Sequence, residues 1–168
     1  MDRVAIFIDG NNLYHGLKNE AGNTRLDFQK FVDWLLEGRN LIRTYYYNSP
    51  VNSNAPGARE QQAFFGRLRM LPYFDVRLGR LEPRGDTYVE KGVDTRIAVD
   101  MVSMAFKNHY DTAILVSSDG DFTTAVSAVK DSGKHVEVAC FAKSYELKGV
   151  ADRVIDLNNA TLLGLFVA

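Results

Sequence analysis

Residues 4–12 read VAIFIDGNN: five consecutive apolar residues, Val4 to Ile8, stopped by Asp9-Gly10-Asn11-Asn12. A strand with one wet face would alternate apolar and polar residues. An unbroken apolar run of this length predicts a strand buried on both faces, the kind found in parallel sheets. A second stretch repeats the pattern. Residues 112–121 read TAILVSSDGD, an apolar run that breaks into Ser117, Ser118, Asp119, Gly120 and Asp121.

Outward from these two runs the chain alternates. Strands are predicted at Val4–Ile8, Leu41–Tyr47, Tyr73–Leu78, Thr112–Ser117 and Val136–Phe141, with a short edge strand at Val154–Leu157. Asp27 caps a predicted helix in which Phe28, Phe31, Val32, Leu35 and Leu36 recur at helical spacing. Further helices are expected over Ala58–Leu71, stopped by Pro72, then Asp94–Lys107, Asp121–Lys130 and Ser144–Ala151. Ser118 and Asp121 have capping-box spacing. Asn48–Gly57 (NSPVNSNAPG) reads as a loop. Arg80–Glu90 reads as a charged hairpin turning at Gly85-Asp86. Alternating strands and helices predict an α/β fold of three layers with a mainly parallel sheet. Ligands of such sheets bind beyond the carboxyl ends of the strands.

With 168 residues the chain is expected to form one domain over 1–168, its apolar end, residues 158–168, serving as a docking or dimerisation tail. A homodimer is one use of that tail. The formal net charge of −1 gives no global sign of a polyanion binder, so any nucleic-acid role needs a local patch or a metal. Cys140 is the single cysteine, which excludes an internal disulfide; with no secretory signal core, the expected location is cytoplasmic. No apolar run approaches the roughly 18 residues of a membrane span.

If the first and fourth strands are neighbours, Asp9, Asn11, Asn12, Ser117, Ser118, Asp119 and Asp121 share one sheet edge. Crowded carboxylates repel and raise one another's pKa, so a cation is the expected occupant. Oxygen-only ligands suit Mg²⁺ or Mn²⁺. Asp-Gly and Asn-Asn are also ordinary turn residues, and Asp119 would serve as a plain helix cap. Asp94, in KGVDTRIAVDM (residues 91–101), opens a helix where the dipole favours a carboxylate. Asp100 lies about 240° further round that helix. It is therefore read as an outer-shell or structural carboxylate.

FIDGNNLY (7–14), KGVDTRIAVDM (91–101) and AILVSSDGDF (113–122), with LKGVADRVIDL (147–157) as a weaker piece, together resemble the NYN family, a branch of the PIN-like nucleases that includes the LabA-like proteins. The resemblance implies a Rossmann-like sheet with strand order 3-2-1-4-5. It also implies a metal-dependent ribonuclease site of Asp9, Asp94 and Asp119, with Asp121 and Asn12 close by. The expected reaction is cleavage within RNA, single-stranded by preference, with Asp121 completing the shell of a second ion. The alternative is a regulatory module that keeps the acidic pocket without turnover. A HAD-like phosphatase is disfavoured, because Asn11 stands where its second aspartate belongs.

Substrate contacts fall to a basic stretch. Between Arg39 and Lys91 nine basic residues face five acidic ones. Arg59, Arg84 and Lys91 are the candidates for phosphate steering, set against ordinary solvated charge. Tyr45, Tyr46, Tyr47, Phe64, Phe65, Tyr73 and Tyr88 lie in the same stretch. Any exposed member would stack an unpaired base, although most are expected in the core. Tyr14 reads either as pocket wall or as core. Ser117 and Ser118 are candidate hydroxyl donors to the acidic edge, or simple turn hydroxyls.

Overall fold

The computed structural model describes residues 1–168. Its strands are β1 (Arg3–Asp9), β2 (Asn40–Asn48), β3 (Phe74–Leu78), β4 (Arg80–Arg84), β5 (Thr87–Lys91), β6 (Thr112–Val116), β7 (His135–Cys140) and β8 (Arg153–Asp156). The α-helices are α1 (Gly10–Gly16), α2 (Phe28–Leu36), α3 (Ala58–Arg69), α4 (Val93–Phe106), α5 (Thr123–Asp131) and α6 (Tyr145–Val150). Six strands form one sheet in the order β3-β2-β1-β6-β7-β8, every neighbouring pair parallel. The five main strands thus take the expected 3-2-1-4-5 arrangement, and β8, the short edge strand expected near Val154–Leu157, adds a sixth position that this order did not include. β4 and β5 stand apart as an antiparallel hairpin turning at Gly85-Asp86.

β1 shows why the opening run is unbroken. Val4, Ile6 and Ile8 point into one cluster, with Leu13, Phe31, Leu35 and Phe65 from α1, α2 and α3. Ala5 and Phe7 point into the other, with Ile97, Met101 and Val126 from α4 and α5. All five are essentially without solvent contact. Burial of each large side chain contributes roughly 1.5–3 kcal/mol. The tyrosines of β2 alternate the same way, Tyr46 to the first cluster and Tyr45 and Tyr47 to the second. That removes all three from the pool of base-stacking candidates.

The stripe of α2 is buried as expected, and the Asp27 carboxylate accepts the Lys30 N–H at 3.1 Å to start the helix. Three local features differ from expectation. Gly10–Ala21 is helical, α1 running into a π-helical turn at Leu17–Ala21. Glycine and asparagine disfavour helix interiors, but the Asp9 carboxylate caps the turn and Leu13 and Leu17 bury one face. Ahead of α5 lies a single 3-10 turn, Gly120–Phe122. Its cap is the Asp119 carboxylate, which accepts the Asp121 N–H at 2.9 Å; Ser118 does not cap it.

The apolar tail docks on its own chain. Leu162 is fully buried, and Leu26 pairs with Phe166. The Val167 N–H donates to the Arg25 carbonyl at 2.8 Å, and Asp27 N–H to the Leu165 carbonyl at 2.8 Å.

Candidate metal and phosphate site

Parallel pairing of β1 with β6 brings their carboxyl ends side by side, Ile8 opposite Val116. Asp9 is the last residue of β1 and only 5% exposed. Its carboxylate accepts the Asn12 N–H at 3.3 Å and the Ser117 hydroxyl at 3.2 Å. Burial pushes this carboxyl up to about 6, and the charges of Asp94 and Asp119 add to the rise, against the pull of the two hydrogen bonds.

The two loops are stitched together. The Asn12 side-chain oxygen accepts the Ser118 N–H at 2.9 Å, and Ser117 Oγ accepts the Asp119 N–H at 3.1 Å. Ser117 therefore relays between the two aspartates, accepting from one backbone and donating to the other carboxylate. The Ser118 hydroxyl is turned away, where it accepts the Phe141 N–H at 3.0 Å. That corrects its assignment as a donor to the acidic edge.

Asp94 enters from the first turn of α4, which begins after Gly92 at φ 89°. Burial raises its pKa, and the neighbouring charges of Asp119, Glu90 and Asp121 raise it further. The Glu90 carboxylate accepts the Val93 N–H at 3.1 Å and so starts the helix.

The result is a crevice of about 310 Å³ walled by Asp9, Asn11, Asn12, Asp94 and Asp119, together with His15, Asn48, Ser49, Val93 and Glu90. His15 and Glu90 were missed in the sequence. One helical turn separates His15 from Asn11 and Asn12, a signal visible only once α1 is recognised.

Other expected residues lie elsewhere. Asp121 is exposed on the 3-10 turn, outside the crevice lining, and acts on Asp94 through its charge. Asp100 accepts the Tyr47 hydroxyl and the Arg77 guanidinium, each at 2.8 Å, so it is a structural carboxylate. Arg59 is exposed on the first turn of α3, and Arg84 is at the hairpin tip, 3.7 Å from Glu82. Lys91 ends β5. None of these three lines the crevice. Tyr14 is 46% exposed and lines a neighbouring cavity instead.

The donors suit a hard cation in kind: they are oxygens, and their mutual repulsion is what a positive charge would relieve. No three His, Cys, Asp or Glu side chains are grouped to hold one ion, however, so the expected closed set of Asp9, Asp94, Asp119 and Asp121 is not assembled. The 3-10 turn accounts for the loss of Asp121, which it faces outward. Mg²⁺ commonly keeps several waters and takes only one or two carboxylates before a substrate phosphate arrives. The residues present fit that open mode of binding. No helix is long and apolar enough to cross a membrane.

Comparison with known proteins bears on family and fold. The NYN domain model matches residues 3–158. The low amplitude and bright protein LabA of Synechococcus elongatus is 29% identical, over 94% of this chain and 84% of that protein. An uncharacterised protein of Methanocaldococcus jannaschii is 28% identical over 92% of this chain, which spans 55% of its length. A crystal structure of a Vibrio parahaemolyticus protein of unknown function superposes with a TM-score of 0.74 at 24% identity, covering 94% of each chain. That likeness concerns the fold.

Proposed function

We propose a ribonuclease function from one premise: the chain belongs to the NYN domain family, a family of PIN-like nuclease type. The substrate is single-stranded RNA, cut within the strand at a phosphodiester bond. The observation that carries the reading is Asp9, buried at the end of β1 and crowded by the charges of Asp94 and Asp119. Such an arrangement is costly without a cation.

Asp9, Asp94 and Asp119 would hold Mg²⁺ or Mn²⁺. When bound, that ion supplies positive charge to a phosphate oxygen and acidifies water for attack. The protein's own residues do the positioning. Ser117 fixes the Asp9 carboxylate from one side and the backbone of Asn12 fixes it from the other. The Asn12 side chain clamps the Ser118 backbone, which keeps Asp119 in register with Asp9. Asn11 and Asn48 offer uncharged hydrogen bonds at the crevice wall, where added carboxylates would repel the strand. Arg59, Arg84 and Lys91, outside the crevice, would steer the backbone from a distance.

A second reading, a regulatory module without turnover, draws on the absence of a closed ligand set. Cleavage of a mixed-sequence RNA strand separates the two. Cutting that requires Mn²⁺ or Mg²⁺ and is lost in Asp119→Asn and in EDTA supports the nuclease. A folded protein that binds RNA and never cuts it supports the module.

A further inference from the structure

A second cavity, about 460 Å³, adjoins the acidic crevice, and Asn11, His15 and Asn48 line both. Its size falls in the range of small-molecule pockets. Its chemistry is different from that of its neighbour. No carboxylate lines it, and Arg67 is its one permanently charged residue. No carboxylate is there to pair with a cation, and the Arg67 charge favours a neutral or anionic guest.

The inner wall is aromatic. Phe28 meets Tyr46 at 5.7 Å and Phe64 at 5.6 Å between ring centres. Tyr14, 46% exposed, lines the same cavity from the α1 side. Polar groups complete the lining. Asn11 and Gln61 contribute primary amides from exposed positions. The Tyr46 hydroxyl accepts from the Asn48 amide at 3.1 Å and keeps its own proton to donate. Aromatic faces with amide groups around them suit a flat heteroaromatic ring whose edges carry donors and acceptors.

We propose that this cavity receives one unpaired nucleobase of the RNA strand whose phosphate lies in the acidic crevice. The proposal rests on the nuclease reading above and adds to it a base subsite adjoining the scissile phosphate. Asn11 and Asn48, shared by the two spaces, mark the step from phosphate to base. Phe28, Phe64 and Tyr14 supply the stacking surface, Gln61 reads the base edge, and Arg67 meets the ring or the adjoining phosphate. Duplex RNA, with its bases stacked inward, cannot fill the cavity. Preference for single strands then follows from shape.

The test is a binding measurement that needs no turnover. The full chain is titrated with a fluorescent single-stranded RNA, and with the same strand carrying one abasic ribose at successive positions, Ca²⁺ replacing the catalytic ion. One abasic position should weaken binding by about 5- to 150-fold, the range for one stacked base. Gln61→Ala and Arg67→Ala, both on the exposed face of α3, should reduce that difference without unfolding the chain. Phe64→Leu, checked for fold by circular dichroism, should reduce it as well.

Equal affinity at every abasic position would overturn the subsite, as would failure of every strand to bind. Adenosine monophosphate displacing the strand as effectively as intact RNA would overturn it in favour of a small-molecule pocket. A protein that discriminates abasic strands yet never cuts would instead keep the subsite and defeat the nuclease reading. Metal-dependent cutting that ignores abasic positions would do the reverse.

Discussion

Replacing Asp9 by asparagine should make the metal-free protein more stable at pH 8. The rise of its pKa from the ordinary 3.8 to about 6 sets the magnitude. Holding this carboxylate ionised in the fold costs about 3 kcal/mol relative to the unfolded chain, at 1.36 kcal/mol per pKa unit. Asparagine retains one acceptor oxygen for Asn12 or Ser117 and loses the second hydrogen bond, which takes back about 1 kcal/mol. The net gain is about 2 kcal/mol, or about 4–8 °C in Tm for a domain of this size.

The sign reverses the usual carboxylate case. Because the folded pKa lies above the unfolded one, the native state binds more protons in the interval between them. Wild-type stability therefore rises as pH falls from about 6 towards 3.8. The advantage of Asp9→Asn should shrink by pH 5, where wild-type Asp9 is largely protonated. Thermal melting by circular dichroism at both pH values, in EDTA, measures this. Adding Mn²⁺ should then raise the Tm of wild type, by the equivalent of about 2.7 kcal/mol at a hundred times Kd, and leave Asp9→Asn unmoved. A variant less stable than wild type by the same amount at pH 8 and pH 5 would refute the reasoning and make Asp9 a purely structural cap.

Three further outcomes are expected. Gly10→Ala places a methyl against the Tyr46 ring and 2.7 Å from the Tyr47 carbonyl oxygen. It should cost about 1–3 kcal/mol in urea unfolding, and an unchanged midpoint would contradict that close approach. Asp111, paired with Arg3 at 2.9 Å and held down to about 2, favours the folded state above about pH 4 and loses that effect as pH falls towards 2. Asp111→Asn should therefore flatten the acid limb of the stability profile, and a limb of unchanged steepness would count against the pair. Arg84→Ala should lower the salt slope of RNA binding by about one; an equal loss at every salt concentration would argue against electrostatic steering.

The architecture was legible wherever burial was one-sided or complete. Val4–Ile8 and Thr112–Val116 announce strands covered on both faces, because short unbroken apolar runs bounded by turn residues suit a central parallel position. α1 was illegible for the opposite reason. Gly10, Asn11 and Asn12 have turn preferences, and the helix depends on the Asp9 carboxylate and on the tertiary burial of Leu13 and Leu17. His15 and the aromatic cavity went unread with it.

The meeting of Asp9, Asp94 and Asp119 at one edge could be anticipated from strand ends and a helix start. The outward turn of Asp121 could not, since it depends on a single 3-10 turn. Nor could the use of Ser118, whose hydroxyl is committed to the Phe141 backbone 23 residues away.

The hydrogen bond between Ser117 and Asp9 joins residues 108 positions apart. Until β6 has left the ribosome, Asp9 ends a strand with no neighbour on that side, and neither Ser117 nor Asp119 is present to complete the acidic edge. Closing such a long loop is slow compared with forming local helices. The crevice thus forms only once β6 and the turn after it have emerged and paired with β1. An acidic edge built this way cannot exist in a chain that lacks β6, however well its first strands have paired.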